Sequence, residues 1–171
     1  LVSPRPVPAM AAAADFLATI KRKPGVSYSA LWLNENGFRR AAATPGVDLE
    51  GMIMFYTSEA FCQSNNNCSA TEMRDRQRDW VKLYQAHGLA LETAYIMTAF
   101  GCNFQGPIAL ETVTDLVRWI VDLCAELAIP LPKIYLADTV GWANPEAIKR
   151  RMGAVREMAP EARLGLHLHD T

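Results

Sequence analysis

Short apolar runs take turns with longer segments whose apolar residues recur every three or four positions, and this alternation constrains the fold more than any other feature of the chain. The runs occupy residues 28–33, 51–56, 90–98, 133–137 and 163–169. Each is short, apolar and bounded by turn-forming or polar residues, so each reads as a strand with little exposure on either face. Helical spacing fills the intervals at 10–22, at 36–43, after Ser69, at 110–128 and after Asn144. Two parallel strands need a crossover between them, and a helix is the usual one. The alternation therefore implies a parallel sheet covered by helices, an α/β architecture.

The punctuation agrees with this reading. Pro24-Gly25 and Thr44-Pro45-Gly46 stop the first two helical segments, Gly88 the third, and Pro130 with Pro132 the fourth. Ser69-Ala70-Thr71-Glu72 is a capping box, in which the Ser69 hydroxyl accepts from the Glu72 N–H and the Glu72 carboxylate reaches back. The helix it opens gathers Met73, Gln77, Trp80, Val81 and Tyr84 on one side. The stripe of the 110–128 helix is Val113, Leu116, Val117, Ile120, Cys124 and Leu127. Asn144 caps the last helix, with Pro145 at its first position. Ser64-Asn65-Asn66-Asn67-Cys68 reads as a polar loop.

An open doubly wound sheet and a closed barrel both satisfy this pattern. No Gly-x-Gly-x-x-Gly follows any run, so the nucleotide-binding open sheet loses support. The barrel gains it, because Asn34, Ser58-Glu59, Thr98, Asp138 and the pair His167 and His169 all fall at or just past the C-terminal ends of strands. Barrel enzymes place their sites on that face. The 171 residues, half of them apolar, suffice for one domain, and residues 1–171 read as a single catalytic barrel domain. Leu1 enters on what reads as the tail of a strand and Thr171 follows directly on His-x-His-Asp, so the expectation is a barrel cut short on both sides. It would lack its first strand and its last βα unit.

Several function classes lose ground. Seventeen basic residues stand against 18 acidic ones with no basic stripe, which argues against a nucleic-acid partner. No apolar run approaches the ~18 residues of a membrane span. The first residues show no basic segment followed by an apolar one, so no secretory signal is expected there, and cytoplasm is the default compartment. Cys62, Cys68, Cys102 and Cys124 form no Cys-x-x-Cys pair and read as reduced thiols.

The strongest chemical feature is His167-Leu168-His169-Asp170. Residues two apart on a strand project from one face, so two imidazoles can share one metal ion. Such donors, with oxygen ligands completing the set, suit Mn²⁺, Mg²⁺ or Fe²⁺. The ordinary alternative is two histidines on a solvated strand. Asp138 at a strand end can orient a ligand or support a metal-bound imidazole; a turn or helix cap is the rival role. Gly101 to Gly106 frames a loop that either covers a ligand or simply connects strand to helix. Cys102 within it has no base nearby in sequence, which weakens a nucleophilic role. His87 falls at a helix C-terminus, where it complements the dipole.

These motifs, in order, resemble one family. Leu1-Val2-Ser3-Pro4-Arg5-Pro6-Val7-Pro8-Ala9-Met10 is similar to the Phe-Val-Ser-Pro-x-x-Val-Pro-x-Met stretch of 3-hydroxy-3-methylglutaryl-CoA lyases. Asn34-Glu35-Asn36-Gly37-Phe38, Ser58-Glu59-Ala60-Phe61, Asn65-Asn66-Asn67-Cys68-Ser69 and Gly101-Cys102-Asn103-Phe104-Gln105-Gly106 resemble further motifs of that family. So do Asp138-Thr139-Val140-Gly141 and His167-Leu168-His169-Asp170-Thr171. The Asp-Thr continuation favours the lyases over the related condensing synthases, which typically continue with Asn-Asp.

The resemblance implies a TIM (β/α)8 barrel, present here incomplete, and carbon–carbon cleavage of a 3-hydroxyacyl-CoA to a keto acid and acetyl-CoA. It implies Mg²⁺ or Mn²⁺ as cofactor, with His167 and His169 as metal ligands. His167 would also move a proton, and Asp138 would act beside it as the second catalytic residue. Ser3, Asn34 and Cys102 are the substrate-side neighbours. An acyl-CoA is the expected partner, with a homodimer as a further expectation and neither nucleic acid nor membrane. The family's remaining Asp and Asn ligands, its catalytic Arg and its catalytic Cys find no counterpart in this chain. Two stretches depart from the pattern: Trp32-Leu33 replaces Thr-Pro, and Trp142-Ala143-Asn144-Pro145 replaces Val-Gly-Thr-Pro. Trp142 falls at the expected catalytic end, so the substrate can differ while the chemistry is kept. The rival readings are a metal-dependent aldolase or Claisen-type synthase of the same barrel superfamily, and a truncated relative without catalysis.

Overall fold

A computed structural model describes residues 11–169. Ser3 and the rest of the first motif lie outside the described residues, as does Asp170. The chain divides between Glu50 and Gly51 into two compact units.

The first unit holds two short helices, α1 (Ala13–Thr19) and α2 (Glu35–Ala43). Asn34 is extended and its side chain accepts from the Gly37 N–H at 2.9 Å, which starts α2. The helix buries Phe38 and Ala41, and Phe38 meets Trp32 edge to face at 5.4 Å between centroids. The expected strand at 28–33 is reduced to an isolated bridge between Ser29 and Asp48. The Asp48 carboxylate accounts for part of this. It accepts from the Tyr28 N–H at 2.7 Å and the Ser27 hydroxyl at 3.1 Å, so a side chain serves a donor that a strand would otherwise claim. The Tyr28 backbone and Ser27 bonds also lower the Asp48 pKa.

The second unit is built on four parallel strands: β1 (Gly51–Tyr56), β2 (Leu91–Met97), β5 (Lys133–Ala137) and β6 (Leu164–His167), in the order β1-β2-β5-β6. A two-residue hairpin, β3 (Gly101–Cys102) with β4 (Gly106–Pro107), follows β2. The crossovers are α3 (Glu59–Asn66) with α4 (Ala70–Ala86), then α5 (Leu110–Glu126), then α6 (Pro145–Met158). The register aligns Ile53 with Ala94 and Ile134, and Phe55 with Ile96 and Leu136. All six are essentially inaccessible, so successive strands contribute to one dry layer. The other face carries Tyr95 stacked on Tyr135 at 4.7 Å, and Tyr135 lies over Gly165. A Cβ at Gly165 would come within 2.4 Å of the Tyr135 ring, so only glycine admits it.

The helices dock as their sequences dictate. The capping box at Ser69 forms in full. Gln77 and Tyr84 on α4 reach into β1: Gln77 Oε1 accepts from the Met54 N–H at 2.9 Å, and the Tyr84 hydroxyl donates to the Met52 carbonyl at 2.8 Å. The stripe of α5 is buried from Val113 to Cys124, and burial raises the Cys124 thiol to about 11. Helix α3 replaces much of the polar loop expected at 64–68. Ser58 caps it by accepting from the Phe61 N–H at 3.1 Å, and Asn67 ends it in the left-handed region at φ 50°. The helix buries only Cys62, so it carries almost no apolar period by which to recognise it. Arg151 on α6 is buried at 6% exposure among carbonyls. Its Nε donates to the Ala99 carbonyl at 2.8 Å, its Nη2 to the Ile108 carbonyl, and its guanidinium covers the Phe100 ring. Burial, with a smaller push from Arg150, lowers its pKa. No helix among the described residues is long and apolar enough to cross a membrane.

Candidate functional site at the strand ends

Threonines tie the C-terminal ends of β1, β2 and β5, and Asp138 adds β6. Thr57, just past β1, shares a 2.9 Å hydroxyl contact with Thr98, just past β2, and donates to the Thr98 carbonyl at 2.7 Å. The Thr98 hydroxyl also accepts from the Ser58 N–H at 3.3 Å. The Thr98 N–H donates to the Thr139 hydroxyl, past β5, at 2.7 Å. Thr98 is fully buried and sits at φ 54°, a left-handed conformation that a β-branched residue adopts only under constraint. That turn takes its N–H out of the strand ladder and aims it at Thr139. Beyond β5, the Asp138 N–H donates to the His167 carbonyl at 2.8 Å.

Asp138 is 2% exposed. Its Oδ1 accepts from the Trp142 N–H at 2.6 Å, so the carboxylate is fixed by the turn it opens. The turn role expected as the rival for this residue is the one this bond fills. Trp142 continues the chain of contacts. Its indole N–H donates to Asn103 Oδ1 at 2.8 Å, and its ring lies flat on Gly101. A Cβ at Gly101 would stand 2.5 Å from the indole. Gly101→Ala is therefore expected to push the indole off the hairpin and cost about 1–3 kcal/mol. Denaturant unfolding checks this, and Trp142→Val should recover part of the loss in the double variant.

The hairpin is also anchored from β1. The Ser58 hydroxyl donates to Gln105 Oε1, which also accepts from the Ala60 N–H at 3.1 Å. Cys102 is wholly buried, with its sulfur 3.1 Å from the Ser58 hydroxyl and accepting from the Phe104 N–H at 3.3 Å. It stands inside the loop as a fixture of its conformation. Asn34 belongs to the first unit, where its amide oxygen is taken up in capping α2.

His167 closes β6, whereas His169 lies two residues on and outside the strand, so the strand expected to reach 169 is shorter. The side chains still converge. Their Nε2 atoms are 3.2 Å apart, with the rings edge to face. His169 Nδ1 is 2.8 Å from the Thr139 carbonyl. Nδ1 must carry the proton to serve that carbonyl, which leaves a lone pair on Nε2 facing His167. Both rings are exposed. With imidazole–metal distances of about 2.1 Å, nitrogens this far apart subtend roughly 100° at a shared ion. The pair therefore fits a divalent metal, and the Thr139 carbonyl supplies the outer support that metal-binding histidines use. Among the described residues no third His, Cys, Asp or Glu joins them.

The sequence singled out Asp138, His167, His169 and the 101–106 loop, and the structure brings these to neighbouring strand ends. It did not single out Thr57 or the anchoring role of Gln105. The only available signal for Thr57 was a hydroxyl placed directly after an apolar run.

Comparison with known proteins bears on the family and the fold. A family model described as HMGL-like matches residues 6–171. The mitochondrial hydroxymethylglutaryl-CoA lyase of Bos taurus is 33% identical, aligned over 99% of this chain and 50% of its own length. The 3-hydroxy-3-isohexenylglutaryl-CoA/hydroxy-methylglutaryl-CoA lyase of Pseudomonas aeruginosa is 34% identical over 99% of this chain and 54% of its own. The crystal structure of hydroxymethylglutaryl-CoA lyase from Pseudomonas aeruginosa superposes with a TM-score of 0.83 at 33% identity, covering 99% of this chain and 54% of that one. The parallel sheet is thus part of a TIM barrel of that type. The chain spans about half the length of the curated relatives it matches.

Proposed function

The chain belongs to the HMGL-like family, and from that premise we propose that it is part of a carbon–carbon lyase that cleaves a 3-hydroxyacyl-CoA, HMG-CoA itself or a close analogue, with a divalent metal. The observation that carries this reading is the His167–His169 pair, its Nε2 atoms 3.2 Å apart beside the buried Asp138 turn. Mg²⁺ or Mn²⁺ held by the two imidazoles would polarise a hydroxyl and a carbonyl oxygen of the substrate.

The chain's own residues do the rest. His169 keeps its ring oriented through Nδ1 and the Thr139 carbonyl. His167 would also move the hydroxyl proton. Asp138, fixed through Oδ1 by the Trp142 N–H, orients what approaches the strand ends. Cys102 serves by holding the shape of the 101–106 loop. Ser3 and Asn34 are substrate-side neighbours by resemblance. An acyl-CoA is the proposed partner, a homodimer the proposed assembly and the cytoplasm the proposed compartment.

The test is HMG-CoA cleavage by the whole protein that carries this chain, with Mg²⁺ or Mn²⁺ and then with excess chelator. Metal-dependent release of acetyl-CoA is expected. One observation favours a second reading: Trp142 occupies a position where the family pattern has valine, and its indole spans the hairpin and the Asp138 turn. If HMG-CoA is inert, acyl-CoA thioesters tested against free 2-keto acids separate a lyase for another acyl chain from an aldolase or Claisen-type synthase.

A further inference from the structure

Cys62 and Cys68 are the only cysteines among the described residues whose sulfurs meet, 3.9 Å apart. Cys62 lies on α3, and Cys68 lies in the turn between Asn67, the left-handed end of α3, and Ser69, the cap of α4. Both are buried, at 0% and 2%, beside Tyr56 and Met73, with Phe61 and Met97 packed around them. Nothing in the lyase chemistry above uses either sulfur.

Around this contact α3 is tied both to α4 and to β1. Glu59, in the first turn of α3, accepts from the Ala70 N–H at the start of α4 at 2.9 Å. Asn65 on α3 donates to the Tyr56 hydroxyl at 3.3 Å. Cover over Cys68 is thin: Asn67 is exposed and Ser69 half-buried. Two sulfurs already in contact need to close by only about 2 Å to reach bonding distance. Burial, together with the neighbouring Cys68 sulfur, pushes the Cys62 thiol up to about 12, so it stays protonated at neutral pH.

We propose that Cys62 and Cys68 form a dithiol modification site that closes to an intramolecular disulfide when the chain meets a peroxide. Cys68, on the turn, attacks the peroxide first. An S–O bond forms as the O–O bond breaks, giving a sulfenic acid and one water. Cys62 then attacks that sulfur. The S–S bond forms, the S–O bond breaks, and hydroxide leaves with the Cys62 proton as a second water. Two thiols lose two electrons and the peroxide takes them. The bond ties α3 to the cap of α4. Because Ser58, the cap of α3, also anchors the 101–106 hairpin, oxidation is registered at the strand ends.

The sequence makes the test direct. Trypsin, cutting after Arg40 and Arg74, leaves both cysteines on one peptide, residues 41–74, while Cys102 and Cys124 fall on two others. The native protein is treated with hydrogen peroxide, then denatured, alkylated and digested. The expected result is a 41–74 peptide lighter by two hydrogens that takes no alkyl group, restored to two by prior reduction. Cys102 and Cys124 should remain alkylatable. Two alkylated cysteines on 41–74 after peroxide would overturn the proposal, as would sulfinic acid on either without the closed form. Cys62→Ser, if it folds, should abolish the closed peptide, and the wild-type digest decides the matter if it does not.

Discussion

His169→Ala is expected to weaken Mn²⁺ binding by the whole protein by more than about 100-fold, because even partners standing behind a ligand cost 10–100-fold when removed. Two features set the size of this effect. The imidazole presents its Nε2 lone pair 3.2 Å from His167 Nε2, and its Nδ1 proton is committed to the Thr139 carbonyl. The ring is therefore held in one tautomer and one orientation before any ion arrives. Alanine removes a donor without disturbing a core, since His169 is exposed and beyond the end of β6. The fold should survive, and circular dichroism of the variant should match the parent. Titration with Mn²⁺ followed by electron paramagnetic resonance reads the affinity. Unchanged binding in a folded His169→Ala protein would remove the histidine pair as a metal site.

Arg151→Met should be the most destabilising single change considered, at about 3 kcal/mol or more. The guanidinium donates to two buried carbonyls, Ala99 and Ile108, and hydrogen bonds from a charged donor are worth about 1.5–3 kcal/mol each. Methionine keeps the apolar stem but leaves both carbonyls unserved in a place water reaches poorly. Those carbonyls flank the hairpin, so the loss should fall on the loop that carries Asn103 as well as on α6. Urea unfolding reads the first effect, and hydrogen exchange at residues 99–108 reads the second. A loss below about 1 kcal/mol would mean that these bonds are replaced by water.

How much of this was legible beforehand depends on how each part is written in the chain. Strands and helices that bury a regular stripe announce themselves. The α5 stripe from Val113 to Cys124, the capping box at Ser69 and the Asn144-Pro145 start of α6 appear where their chemistry puts them. Helix α3 escaped because it buries one residue, and a helix set by its caps has no apolar period to read. The 28–33 segment failed for the opposite reason: its apolar run suggested a strand, but the Asp48 carboxylate serves the Tyr28 donor that the ladder would use. At the site, the histidine pair and Asp138 were readable because their types and strand-end positions restrict what they can do. The Arg151 bonds and the Gln105 anchor were not, since each joins residues more than 40 apart through side chains that look like ordinary surface polar groups.

Thr98 bears on any attempt to redesign the chain for heat tolerance. A scheme that scores each position by backbone strain would find it early, a buried threonine at φ 54°, and would offer glycine as the relaxed substitute. Glycine would relieve the torsion and delete the hydroxyl that Thr57 and Ser58 share. The ends of β1 and β2 would then be tied only through the Met97 and Thr98 carbonyls, at the rim that carries Asp138 and the histidines. A thermostabilised version that gained its melting temperature at this position would have exchanged alignment for durability. Sites on the exposed faces of α4 and α6 offer a similar gain with no such exchange.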